Sequence, residues 1–171
     1  MKFFPRLTTG ELVRDALLCA ILFISQISLA SVTNVELVSL FLILYTLVFK
    51  KHVWLILYVF IALEGLVYGF GLWWFSYFYV WPILPAFVFL FFKARTPKPF
   101  GIAILSGIFG MLFGFFCSLS YLITAGPEAA FIWWTAGIPF DLVHGIGNFV
   151  LALILFQPLY RLFCRLKQIQ S

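Results

Sequence analysis

Apolar residues run through this chain in long blocks broken by short polar or glycine- and proline-containing stretches, and each block approaches the roughly 20 residues that one bilayer crossing needs. The blocks predict six helices. The first covers Leu12 to Ala30, and Ser31 to Asn34 makes a polar turn. A shorter second covers Val35 to Phe49, and Lys50-Lys51-His52 closes a tight connection to a third over Val53 to Phe70. Gly69-Phe70-Gly71 turns the chain into a fourth over Trp73 to Phe92, bent by Pro82 and Pro85. A polar loop, Lys93 to Lys98, leads to a fifth over Phe100 to Ile123. Thr124 to Thr135 reads as a longer connection, and the sixth helix runs from Ile138 to Cys164 with Pro139 in its first turn.

Composition changes the solvent. Of 171 residues, 64% are hydrophobic and 10% charged, and the mean hydropathy is +1.12. A water-soluble domain of this size cannot hide so much apolar surface, so the blocks are expected to face lipid. The expected fold is all-α: an integral membrane bundle of six transmembrane helices, forming a single domain over residues 1–171. Lys2 and Arg6 precede the first apolar run as they do in a signal peptide. Glu11, Arg14 and Asp15 interrupt that pattern, so the run is expected to stay as the first span.

The net charge of +5 by itself invites a nucleic-acid reading, which its distribution argues against. The basic residues form four groups: Lys2, Arg6 and Arg14; Lys50 and Lys51; Lys93, Arg95 and Lys98; Arg161, Arg165 and Lys167. With six crossings all four groups fall on one side, and the positive-inside rule then puts both termini in the cytoplasm. Glu36, Glu64, Glu128 and Asp141 map to the outer half, with Trp73, Trp74, Tyr77, Tyr79, Trp81, Trp133 and Trp134. An acidic, aromatic outer side without Lys or Arg suits a flat ligand, neutral or cationic, and is also the composition of an interfacial belt. Cys19, Cys117 and Cys164 match neither a zinc nor a disulfide spacing and read as small packing residues.

Candidate chemistry centres on Asp141, His144 and Asn148, which return to one helical face. Ionisable groups on a membrane helix are costly and mark functional sites, although His and Asn also join helices by hydrogen bonds. Metal binding is a weaker reading, and an Asp–His hydrolytic pair lacks an evident nucleophile. Thr33-x-x-Glu36 fits a capping box at the start of the second helix, with Asn34 able to serve the same end. Glu64 lies inside the third block with Tyr68 one turn on; it is expected either in a pocket or paired with His144. Gly65-x-x-x-Gly69 permits a close helix crossing, and Gly107, Gly110 and Gly114 form a packing stripe. Ala16-x-x-x-Ala20 is a flat small-residue face that can meet another helix or a partner protein. The candidate ligand set is thus Asp141, His144, Asn148, Glu64, Tyr68, Glu36 and Asn34, with Trp74, Trp81 and Trp134 as stacking rings.

Ala16-x-x-x-Ala20, Asn34-Val35-Glu36, and Gly137-Ile138-Pro139-Phe140-Asp141-x-x-His144-x-x-x-Asn148 followed by Pro158-Leu159 together resemble the substrate-binding S component of energy-coupling-factor (ECF) vitamin transporters. The resemblance covers essentially the whole chain. It implies a multi-pass protein of the bacterial cell membrane that captures a vitamin or related micronutrient from outside. It implies docking, through Ala16 and Ala20, on a transmembrane coupling subunit driven by two ATPase subunits. The chain carries no ATP-binding loop, so it binds no cofactor itself and ATP is used by its partners. A nitrogenous ring compound, pyridoxine-like or hydroxymethylpyrimidine-like, suits the acidic and aromatic residues, and cobalamin is the larger alternative. Two other classes stay open: a small integral-membrane enzyme using Asp141 and His144, and a ligand-free membrane assembly subunit.

Overall fold

The computed structural model describes residues 7–92 and 97–170, so Lys2, Arg6, Lys93 and Arg95 lie outside the described residues. Thr8 and Glu11 start the first helix with a reciprocal capping box. Glu11 N–H donates to Thr8 Oγ1 at 3.2 Å and Thr8 N–H donates to Glu11 Oε2 at 2.8 Å. Six α-helices follow: α1 (Thr9–Leu29), α2 (Val38–Phe49), α3 (His52–Tyr68), α4 (Leu72–Phe91), α5 (Pro99–Ala125) and α6 (Pro127–Gln170). Four of them, α1, α4, α5 and α6, are long and apolar enough to cross a membrane.

α2 is hydrophobic on every side, and a helix of that kind must be buried on every side. Eleven of its twelve residues are buried, and it packs against all five other helices. At about 1.5 Å per residue it is roughly 18 Å long, well short of a bilayer's ~30 Å apolar thickness. Its position inside the bundle, rather than its length, keeps its ends from lipid. Tyr45 Oη–H donates to Leu18 O of α1 at 3.0 Å, and Thr46 Oγ1–H donates to Leu42 O at 2.6 Å. The polar atoms of this central helix are therefore paired as its surroundings demand.

Three sequence expectations are corrected here. The second helix begins at Val38 with Leu37 at its cap, so Thr33 and Glu36 do not form a capping box; Glu36 instead reaches forward to Ser39. The stretch Thr124 to Thr135 is not a long connection: α5 ends at Ala125, Gly126 alone turns the chain at φ +88°, and Pro127 opens α6. Pro139 therefore lies inside α6, where Thr135 Oγ1–H donates to Phe131 O at 2.8 Å a turn earlier. Finally, Gly65 is no helix-crossing point. A Cβ there would meet the indole Nε1 of Trp74 at 2.5 Å and Phe70 Cδ1 at 2.7 Å, so the glycine seats one ring from the α3–α4 turn and one from the first turn of α4.

The Gly107–Gly110–Gly114 stripe does meet a neighbour closely. A Cβ on Gly110 would lie 2.9 Å from Gly145 Cα and 2.9 Å from His144 O, and one on Gly107 would lie 3.2 Å from Gly145 O. α5 and α6 make the most extensive helix pair in the bundle, and these glycines let their backbones approach. The two ends of α2 face opposite chemistry. Beyond its C-terminus, Asp15 accepts from Arg14 Nε at 2.9 Å and lies 2.7 Å from His52 Nδ1, while Lys167 Nζ donates to Val48 O at 2.8 Å. Arg14, Lys50, Lys51 and Lys167 line a cavity of about 630 Å³ there. Before its N-terminus lie Glu36 and a larger cavity.

Candidate functional site

α6 carries Asp141, His144 and Asn148 on its buried face, at 8%, 6% and 2% exposure. Each takes a partner from a different element. His144 Nε2 lies 3.1 Å from Glu36 Oε1 in the segment between α1 and α2. Glu36 also accepts from Ser39 N–H at 2.9 Å and from Ser39 Oγ–H at 2.6 Å. A carboxylate only accepts, so the imidazole proton on this side sits on Nε2. Asn148 Nδ2–H donates to Ser39 Oγ at 3.0 Å, which closes a ring of polar contacts from α6 through α2 and back. The expected Glu64–His144 pair is not formed: the partner of His144 is Glu36.

Asp141 is held separately. Its Oδ1 accepts from the backbone N–H of Gly114 at 2.9 Å. The carboxylate occupies the notch left by the missing side chain, since a Cβ on Gly114 would come within 2.6 Å of Oδ1. Its second oxygen, Oδ2, is buried and has no donor among the described residues. Glu64, on the last turns of α3, is 3% exposed, and its Oε1 likewise finds no donor among the described residues.

These groups line one cavity of about 1160 Å³, slightly above the usual range for a small-molecule site. Asp141, His144, Glu36, Glu64, Tyr68, Asn34 and Trp81 all line it, and no Lys or Arg does among the described residues. Asn148 lies behind the wall, on Ser39. Trp74 and Trp134 are not part of the lining either: Trp74 Nε1–H donates to Ile61 O at 2.8 Å, and Trp134 packs edge-on to Phe115 at 5.3 Å. Their neighbours Trp73 and Trp133 line the cavity instead.

A ladder of rings forms one wall. Trp73, Tyr77 and Trp81 recur every four residues on α4, with centroids 5.2 and 5.7 Å apart in edge-to-face contact. Trp81 continues to Phe113 of α5 at 5.0 Å, and Phe113 to the His144 ring at 5.0 Å. Tyr77 was absent from the candidate set although the four-residue spacing with Trp73 and Trp81 marks it. Ser39 had only a weak signal, a lone hydroxyl in an apolar run. Ala16 and Ala20 are exposed on α1, on a side that also exposes Leu17 and Ile24, each at 61%.

The arrangement is suited to holding a molecule. Asp141 and His144 take different partners, and no group of three or more His, Cys, Asp or Glu side chains is placed to hold a metal ion among the described residues. Compared with protein-family models, curated proteins and solved structures, the chain matches none.

Proposed function

We propose that this chain is a membrane-embedded capture subunit, the S component of an ECF-type importer, which takes a vitamin or related micronutrient from outside. The observation that carries the reading is the 1160 Å³ cavity lined by Glu64 and Asp141, each of which keeps a buried oxygen without a donor among the described residues. In an otherwise apolar bundle such groups cost stability unless something else needs them. In this reading all six helices form the membrane bundle, with the short α2 enclosed by the others and α3 presenting Leu55, Tyr58, Val59 and Leu66 outward. Both termini are cytoplasmic, so the basic end with Lys50, Lys51 and Lys167 faces inward and the acidic cavity outward.

The chain performs no chemistry of its own. It offers Ala16 and Ala20, exposed on α1, to a transmembrane coupling subunit, and two ATPase subunits supply the energy. The test is native mass spectrometry of the purified protein, followed by calorimetry with the released compound. A single small molecule that binds wild type and is lost from Asp141→Ala and Glu64→Ala, with both variants folded, supports capture. Turnover of that compound by the isolated chain overturns it in favour of an enzyme. A preparation that carries and binds nothing leaves an assembly subunit.

A further inference from the structure

We infer that the cavity selects a planar cation bearing at least two N–H donors, held by Glu64 and Asp141 against the aromatic ladder of α4. This rests on reading the cavity as a capture site, and it names the class of molecule captured. The polar groups of the site divide into two sets. Glu36, His144, Ser39 and Asn148 satisfy one another, so they shape the wall and position α6 rather than await a ligand. The groups left over are Glu64 Oε1 and Asp141 Oδ2, both acceptors, and Trp81 Nε1–H, a donor. All three residues are more than nine-tenths buried and line the cavity. A ligand that engages both carboxylates therefore supplies at least two donors.

Charge narrows the class further. Three carboxylates line the cavity against one imidazole, and that imidazole is committed to Glu36. No Lys or Arg among the described residues faces Glu64 or Asp141 across the cavity. An anionic ligand would bring a like charge beside these carboxyl groups, and a neutral one would leave them either protonated or without a counter-charge. A cation offsets both, and its N–H groups make charge-assisted hydrogen bonds that are shorter and stronger than neutral ones. Trp73, Tyr77 and Trp81 add rings to which cations are attracted. Flatness follows from the ladder, which offers an extended wall of indole and phenol edges and faces.

The experiment uses three ring compounds of one shape and different charge: benzamidinium, benzamide and benzoate. Each is titrated into the purified wild-type protein in lipid nanodiscs, with the intrinsic fluorescence of the cavity tryptophans as readout. The expected result is that benzamidinium binds at least about tenfold more tightly than benzamide, the gain of a charge-assisted bond over a neutral one, and that benzoate gives no saturable signal. Glu64→Gln and Asp141→Asn each reduce the benzamidinium preference towards one. Equal or tighter binding of benzamide or benzoate to wild type overturns the charge assignment while leaving a ligand-binding cavity in place. If none of the three gives a saturable signal, the assignment is overturned, and the mass spectrum of co-purified compounds then decides the capture reading separately. The wild-type series decides the charge question even if a variant fails to fold.

Discussion

Replacing Gly110 with alanine sets two effects of known sign against each other. Alanine is the better helix former by about 0.8–1 kcal/mol in a helix interior, so an unobstructed glycine gains stability from the change. Gly110 is obstructed. The new Cβ would lie 2.9 Å from Gly145 Cα, 2.9 Å from His144 O and 3.0 Å from Asn148 Nδ2, at least 0.4 Å inside the 3.4 Å at which ordinary contact begins. Two of the three atoms are backbone, so α6 itself must withdraw. A retreat of half an ångström takes the 3.1 Å His144–Glu36 contact and the 3.0 Å Asn148–Ser39 bond to or beyond the 3.5 Å limit. Overpacking costs ~1–3 kcal/mol, and each weakened buried hydrogen bond adds about 0.5–1.5 kcal/mol. Against the helix gain, the net loss is roughly 1–5 kcal/mol. Gly137 in α6 is the control, because a Cβ there meets nothing within 4 Å. Gly137→Ala is expected to be neutral or to stabilise by up to ~1 kcal/mol. Thermal unfolding of detergent-purified protein, followed by tryptophan fluorescence, orders the three proteins. If Gly110→Ala melts at or above wild type, the close crossing of α5 and α6 is wrong.

The Glu36–His144 contact is expected to show a coupling energy of about 1.5–3 kcal/mol in a double-mutant cycle of Glu36→Gln and His144→Ala, and additive effects would show that the two do not interact. Gly114→Ala is expected to push the Asp141 carboxylate from its notch and to weaken benzamidinium binding as Asp141→Asn does, and unchanged binding would separate Asp141 from the ligand. Thr8→Ala removes the capping-box hydroxyl of α1 and is expected to cost ~1 kcal/mol, measured by the same unfolding assay. Trp at Ala16 or Ala20 is expected to abolish uptake in cells while leaving binding to purified protein intact, and uptake that survives both substitutions argues against docking through that face.

Six helices were readable from the apolar blocks because each block had to satisfy its backbone internally and bury or embed its side chains as a unit. Their ends were less so. The expected first helix started at Leu12 and missed the Thr8-x-x-Glu11 capping box, whereas the similar-looking Thr33-x-x-Glu36 never caps because the chain becomes helical only at Val38. Asn34 sits there in the left-handed region at φ +57°, which a short polar side chain tolerates. At the start of α6 the polar and small residues near Thr135 resembled a connection. Gly126 supplied the turn alone, and Pro127, not Pro139, took the first-turn position where a missing N–H is harmless.

Within the site, periodicity put Asp141, His144 and Asn148 on one face, because 3.6 residues per turn is a property of a single helix. Partners are a property of two. Whether His144 meets Glu36 or Glu64, and whether Trp73 or Trp74 turns towards the cavity, depends on the rotation and height of one helix against another. Those are set by packing along the Gly107–Gly110–Gly114 seam and around buried α2, where many small contacts across distant segments act together. Local sequence thus determined an all-helical chain with an apolar exterior, a polar face on α6 and basic residues grouped between and beyond the apolar blocks. Only the tertiary structure decided which carboxylates are satisfied within the protein and which, at Glu64 and Asp141, keep an oxygen without a donor among the described residues.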